Sequence, residues 1–186
     1  MAGEPSAGGI HEWRRGTMKH VIGVLVENEF GVLSRISGLF SGRGFNIESL
    51  TVAETDDPAI SRMTIVTLGD DQIVEQITKQ LNKLINVIKV IDFTNSDHVS
   101  RGLMLVKVSV EGSKRLEVLK LIEVFRARVI DMAAKSAIIE ITGSDMKLRA
   151  FLDVLAPYGI KEVNSTGIVA MNREVKGRSR HKIKAA

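Results

Sequence analysis

HVIGVLVEN, residues 20–28, is an almost continuous apolar run of strand length, and the pattern after it decides the fold. Val32, Leu33, Ile36, Leu39 and Phe40 recur at helical spacing, with Ser34, Arg35, Ser37 and Ser41 on the other face. Gly42 and Gly44 stop that helix, because glycine takes the left-handed cap conformation without a Cβ clash. FNIESLTVAET, residues 45–55, predicts a strand. Asp56-Asp57-Pro58 is a turn, and ISRMTIVTLG, residues 60–69, is the second arm of a hairpin. Asp70 or Asp71 suits the N-cap of a second helix, with Ile73, Val74, Ile77, Leu81 and Leu84 toward the core. NVIKVIDF, residues 86–93, closes the unit as a strand. The order is β-α-β-β-α-β.

Outward from this unit, TNSDHVSR, residues 94–101, reads as a polar linker, and then the same order returns. GLMLVKVSV predicts a strand, and Ser113 caps a helix carrying Leu116, Leu119, Ile122 and Phe125. RVIDMAA and SAIIEITG are two strands around Lys135. Ser144 caps a last helix with Leu148, Phe151, Leu152 and Leu155 inward, stopped by Pro157 and Gly159. IKEVNSTGIVAM is a final strand, interrupted near Ser165-Thr166-Gly167. The fold class is α+β: two ferredoxin-like βαββαβ domains in tandem, each four antiparallel strands with two helices on one face. The expected divisions are a leader at 1–17 that is disordered or a remnant outside the fold, a first domain at 18–94, a linker at 95–101, a second domain at 102–173 and a basic tail at 174–186. Each domain is short for its own core and leaves one sheet face bare, so contact with another copy is expected.

Composition narrows the function classes. Of 186 residues, 44% are hydrophobic and 26% charged, which excludes wholesale disorder. No cysteine is present, so disulfides, thiolate catalysis and cysteine-based metal sites are excluded. The net charge of +4 is local: from Arg173 to Lys184 six basic residues meet one acid, leaving the rest at −1. That tail has the charge to touch nucleic acid, a membrane or an acidic partner, and reads foremost as a solvated terminus. One Trp, one Tyr and six Phe offer little for stacking bases, so nucleic-acid binding by the body is not expected. No apolar run reaches the roughly 20 residues of a membrane span. The first residues lack the apolar core of a signal peptide, so the cytoplasm is the expected compartment.

No set of residues supports catalytic chemistry. His11, His20, His98 and His181 share no ligand spacing, so no metal site is expected. Gly42-Arg43-Gly44 lacks the third glycine of a dinucleotide fingerprint, because Ile47 stands there, and no phosphate-binding loop or GxSxG turn appears. One constellation rises above this background. Asn28-Glu29-Phe30-Gly31 joins the first strand to the first helix, and Asn46 opens the second strand. Helix N-terminal N–H groups suit a carboxylate, Gly31 allows close approach, and the Asn28 amide can both accept from an ammonium group and donate. Those groups fit an α-amino acid. The competing possibility is that Asn28 caps the helix and Gly31 makes the turn.

The stretch from Met18 to Phe93 closely resembles the ACT domain of the acetohydroxyacid (acetolactate) synthase small subunit. The resemblance is carried by VLVENEFGVLSRISGLFSGRGFNIESLTVAETDDPAISRMTIV and QITKQLNKLINVIKV, with NIESLTV and SRMTI the most specific pieces. MLVKV, EVFRARVIDMA and GIVAMNR extend it through the second half. The resemblance implies a regulatory subunit without catalytic residues of its own, partner to a large subunit that uses thiamine diphosphate, Mg²⁺ and FAD to form acetolactate from two pyruvates. It implies activation of that subunit, feedback inhibition by valine in branched-chain amino acid biosynthesis, and a homodimer joined through its ACT domains. Carried onto this sequence, the valine site is Asn28, Gly31 and Val32 of one chain with Asn46 and Ile47 of its neighbour. Phe30 stands where many ACT domains have proline. Asp56 and Asp57 are possible contacts to the large subunit. The alternative is an autonomous amino-acid sensor of the same fold acting on another partner.

Overall fold

The opening apolar run folds as β1 (Met18–Glu27), an inner strand of the first sheet. The computed structural model describes residues 18–112 and 114–173. After β1 come α1 (Val32–Ser41), β2 (Ile47–Glu54), β3 (Ile60–Gly69), α2 (Asp71–Leu81) and β4 (Val87–Asp92). The second domain repeats the order as β5 (His98–Ser109), α3 (Lys114–Phe125), β6 (Arg128–Met132), β7 (Ser136–Gly143), α4 (Asp145–Leu155) and β8 (Ile160–Asn172), with a short 3₁₀ turn at Ala156–Tyr158. The strand orders are β2-β3-β1-β4 and β6-β7-β5-β8, and every pair is antiparallel. Thus βαββαβ occurs twice, and β2 and β6 are equivalent edge strands.

Period-2 alternation sends Ile22, Val24, Val26, Met63 and Ile65 to the helix side of the first sheet. There they meet Val32, Ile36 and Phe40 of α1 and Val74, Ile77 and Leu81 of α2. The second core is built alike, from Val106, Val108, Ile139 and Ile141 against Val118, Ile122, Leu148, Phe151 and Leu155. Asp70 caps α2, accepting from the Ile73 N–H at 2.9 Å, and Ser144 caps α4 through the Lys147 N–H at 3.4 Å. Ser113, the expected cap of α3, lies outside the described residues, as do the leader and the basic tail.

Four expectations are corrected. Residues 98–101, expected within the linker at 95–101, are strand: His98, Val99, Ser100 and Arg101 pair with Asn172, Met171, Ala170 and Val169. The backbone groups at the end of β8 need partners, and that need outweighs the polarity of the side chains. Leu84 packs on the first core from a turn after α2, not from the helix itself. The final strand is not interrupted at Ser165-Thr166-Gly167 but runs through it with a bulge, where Gly167 has a φ of 78°.

The fourth correction concerns the bare sheet face. Part of it is covered by β8 of the same chain, where Ile168 and Ala170 bury Val21, Val66 and Phe93. The bulge sits against β2: Thr51 Oγ1 donates to the Thr166 carbonyl at 3.0 Å, and a Cβ on Gly167 would lie 2.9 Å from that same hydroxyl. Lys19 and Asp145 form an ion pair at 2.8 Å between the two domains.

Candidate functional site

The loop between β1 and α1 is held by backbone and side chain together. The Asn28 N–H donates to the Ala59 carbonyl at 2.7 Å, and the Glu27 N–H to Asn86 at 2.9 Å. Asn86, only 5% exposed, is the hub: its Nδ2 donates to Glu27 at 2.8 Å and Glu29 at 3.0 Å, while its Oδ1 accepts from Arg35 of α1. Sequence reasoning passed over Asn86; the one signal was a polar residue opening an apolar strand.

Gly31, not Asn28, occupies the N-cap position of α1, with a φ of 83° and no side-chain cap. This removes the capping role considered for Asn28. The Asn28 Nδ2 donates instead to Glu54 Oε1 at 3.1 Å and to the Pro58 carbonyl at 2.9 Å, which leaves its Oδ1 facing solvent. With no acidic residue in the first turn, the N-terminus of α1 presents backbone N–H groups and the positive end of the helix dipole. Val32 lies in the core at 3% exposure, so only its backbone can meet a ligand, whereas Leu33 and Phe30 are exposed.

Asn46 and Ile47 lie elsewhere. They open β2, where the Asn46 carbonyl accepts from Thr67 Oγ1 at 2.7 Å and its Nδ2 donates to Glu48 at 2.6 Å. Asn28 is fastened to Glu54, at the other end of β2. At ~3.3 Å per residue the strand separates the two groups by about 23 Å. One chain therefore brings Asn28, Gly31 and Val32 together but does not bring Asn46 and Ile47 to them.

Asp56 and Asp57 sit on the β2–β3 turn. Asp57 Oδ1 accepts from the Ala59 N–H at 2.9 Å, an internal turn bond. Both acids border a cavity of about 570 Å³ on the sheet face away from the helices. His20 is buried between Thr94 Oγ1 and the Gly69 carbonyl, both at 3.1 Å, a structural placement. Among the described residues no group of three or more His, Asp or Glu could hold a metal ion, and no helix is long and apolar enough to cross a membrane.

Residues 14–89 match the family described as "AHAS small subunit-like ACT domain", and residues 101–174 match "Small subunit of acetolactate synthase". The chain belongs to the acetolactate synthase small-subunit family. Among its relatives, the "Probable acetolactate synthase small subunit" of Archaeoglobus fulgidus is 55% identical, covering 84% of this chain and 98% of that one. The acetolactate synthase small subunit of Aquifex aeolicus is 49% identical over 88% of this chain and 86% of its own length. The crystal structure of the acetolactate synthase small subunit from Thermotoga maritima superposes with a TM-score of 0.77 at 41% identity, covering 85% of this chain and 99% of that one. Membership in the acetolactate synthase small-subunit family implies a regulatory role in a holoenzyme whose catalytic partner is a large subunit.

Proposed function

We propose that this small subunit raises the activity of the large subunit and subjects it to feedback inhibition by valine, in branched-chain amino acid biosynthesis. The observation that supports this best is the separation of the candidate ligand groups along β2. That strand is an edge whose backbone ladder runs to β3 alone, so its outer backbone groups can pair with another copy. Antiparallel pairing of β2 with β2 of a second copy, centred between Leu50 and Thr51, sets Ile47 of one chain opposite Glu54 of the other. Asn28 is bonded to that same Glu54. The pairing thus assembles Asn28, Gly31 and the Val32 backbone of one chain with Asn46 and Ile47 of its neighbour, twice per homodimer.

The chemistry of the assembled groups suits valine. The helix N-terminus takes the carboxylate, the Asn28 oxygen takes the ammonium group, and Ile47 contacts the aliphatic side chain at roughly 0.8 kcal/mol per buried CH₂. On this proposal thiamine diphosphate, Mg²⁺ and FAD belong to the large subunit, this chain works in the cytoplasm, and its part is to bind valine and its partner. The test is to titrate valine into the large subunit, alone and mixed with this chain, while acetolactate formation is followed. We expect higher activity in the mixture, and inhibition only there. Equal inhibition of the large subunit alone, or none in the mixture, rejects the proposal.

A further inference from the structure

β8 covers only part of the open face of the first sheet, and the uncovered part, together with β8 itself, encloses the cavity of about 570 Å³. Leu25 and Arg62 lie on its floor, side by side in the β1–β3 register. Ile88, Val169 and Met171 also line it, and they are 53%, 54% and 65% exposed. Three large apolar side chains from two domains thus stand in water around one cleft. Arg62 is half-buried beside them, and among the described residues its guanidinium makes no hydrogen bond or ion pair. Asp56, at the turn end of the same cleft, is likewise without a partner among the described residues.

A guanidinium on an apolar floor is a strong carboxylate ligand, because its fork donates two parallel hydrogen bonds where water competes less. An unpaired cation, an apolar middle and an unpaired anion form a complementary template for one kind of occupant. We infer that the cleft is the docking site for a segment of the catalytic large subunit. The segment seats an apolar side chain among Ile88, Val169 and Met171, a carboxylate on Arg62 and a basic group at Asp56. The inference deepens the regulatory role proposed above, and rests on it, by naming the surface through which that role is exerted. The floor belongs to the first domain and Val169 and Met171 to the second. A bound segment therefore touches both, and its fit depends on how one domain sits against the other.

The experiment uses the full chain with purified large subunit and compares wild type with Arg62→Glu and Met171→Glu. The readouts are the concentration giving half-maximal activation, valine heat on the small subunit alone, and its sedimentation. We expect each variant to raise the activation midpoint roughly tenfold or more, since each places an unpaired carboxylate in the docked interface. Valine heat and sedimentation should stay at wild-type values. Met171 lies at the surface, so Met171→Glu carries the test should Arg62→Glu fold poorly. Unchanged midpoints in the folded variants overturn the inference. A change in sedimentation of the small subunit alone assigns the cleft to a second copy and overturns it as well. Absence of valine heat from wild type would count against the valine proposal, while the activation midpoints would still decide this one.

Discussion

Both amide hydrogens of Asn28 go to its own chain, to Glu54 and Pro58, so an incoming amino acid meets the amide oxygen. An ammonium group suits that oxygen, and a hydrogen bond to a charged group is worth about 1.5–3 kcal/mol. Asn28→Ala is therefore expected to raise the valine concentration for half-inhibition roughly ten- to a hundredfold, with activation retained. Inhibition curves of the reconstituted enzyme measure this, and coincident curves for variant and wild type would sink the assignment. Asn86→Ala tests the support beneath the loop. It strips Glu27, Glu29 and Arg35 of a shared, mostly buried partner, and should cost about 1–3 kcal/mol in urea denaturation. Asn28 and Gly31 were legible in the sequence because they sit at a strand–helix junction, where residue type and position together carry meaning. Asn86 was not, because its side-chain bonds reach 59 and 57 residues back along the chain and no local pattern marks them.

At the scale of elements, the repeated βαββαβ order was readable from periodicity, and Asp70 and Ser144 from their place ahead of apolar helix faces. The ends of β5 and β8 were not. Their pairing depends on register between strands far apart in sequence, and the polar run at residues 98–101 gives no sign of it. Gly167 makes the same point: within its own strand it looks like a break, and only the approach of β2 explains it. Gly167→Ala should destabilise the chain by about 1–3 kcal/mol, from a left-handed φ joined to a Cβ 2.9 Å from Thr51 Oγ1. Thermal or urea denaturation would register it, and a neutral result would mean that the bulge yields without cost.

For the whole molecule, the decisive feature is the shared patch between the domains. Phe93 is 1% exposed there and packs over Gly23, so Phe93→Ala should cost about 3–5 kcal/mol in denaturant unfolding. Both domains should then lose structure in one transition at a lower midpoint. The Lys19–Asp145 pair adds a pH-dependent contact. Partial burial pushes the Asp145 carboxyl up, but hydrogen bonds and charge from Lys19, with charge from Arg149, outweigh it and hold the group below its ordinary value. A depressed folded value means that the stabilisation is present above the unfolded value, ~3.9, and fades as pH falls through the folded one. With both side chains partly exposed, its size is within about 1 kcal/mol. The melting temperature of wild type should exceed that of Asp145→Asn at pH 7, and the gap should start to close below about pH 4 and vanish once the folded carboxyl is protonated. A gap that persists in acid would assign the effect to something other than this carboxylate.

The cover over Val21, Val66 and Phe93 also has a consequence for biogenesis. The strand that hides them is the last of the described elements, so the first domain leaves the ribosome with this patch bare. At 5–20 residues per second, Ile168 is added roughly 4–15 s after Phe93, long compared with the folding of a small domain. Throughout that interval the half-made chain presents a sticky surface that the finished protein never shows. Nascent chains stalled before residue 160 should thus be better clients for a ribosome-associated chaperone than chains released in full.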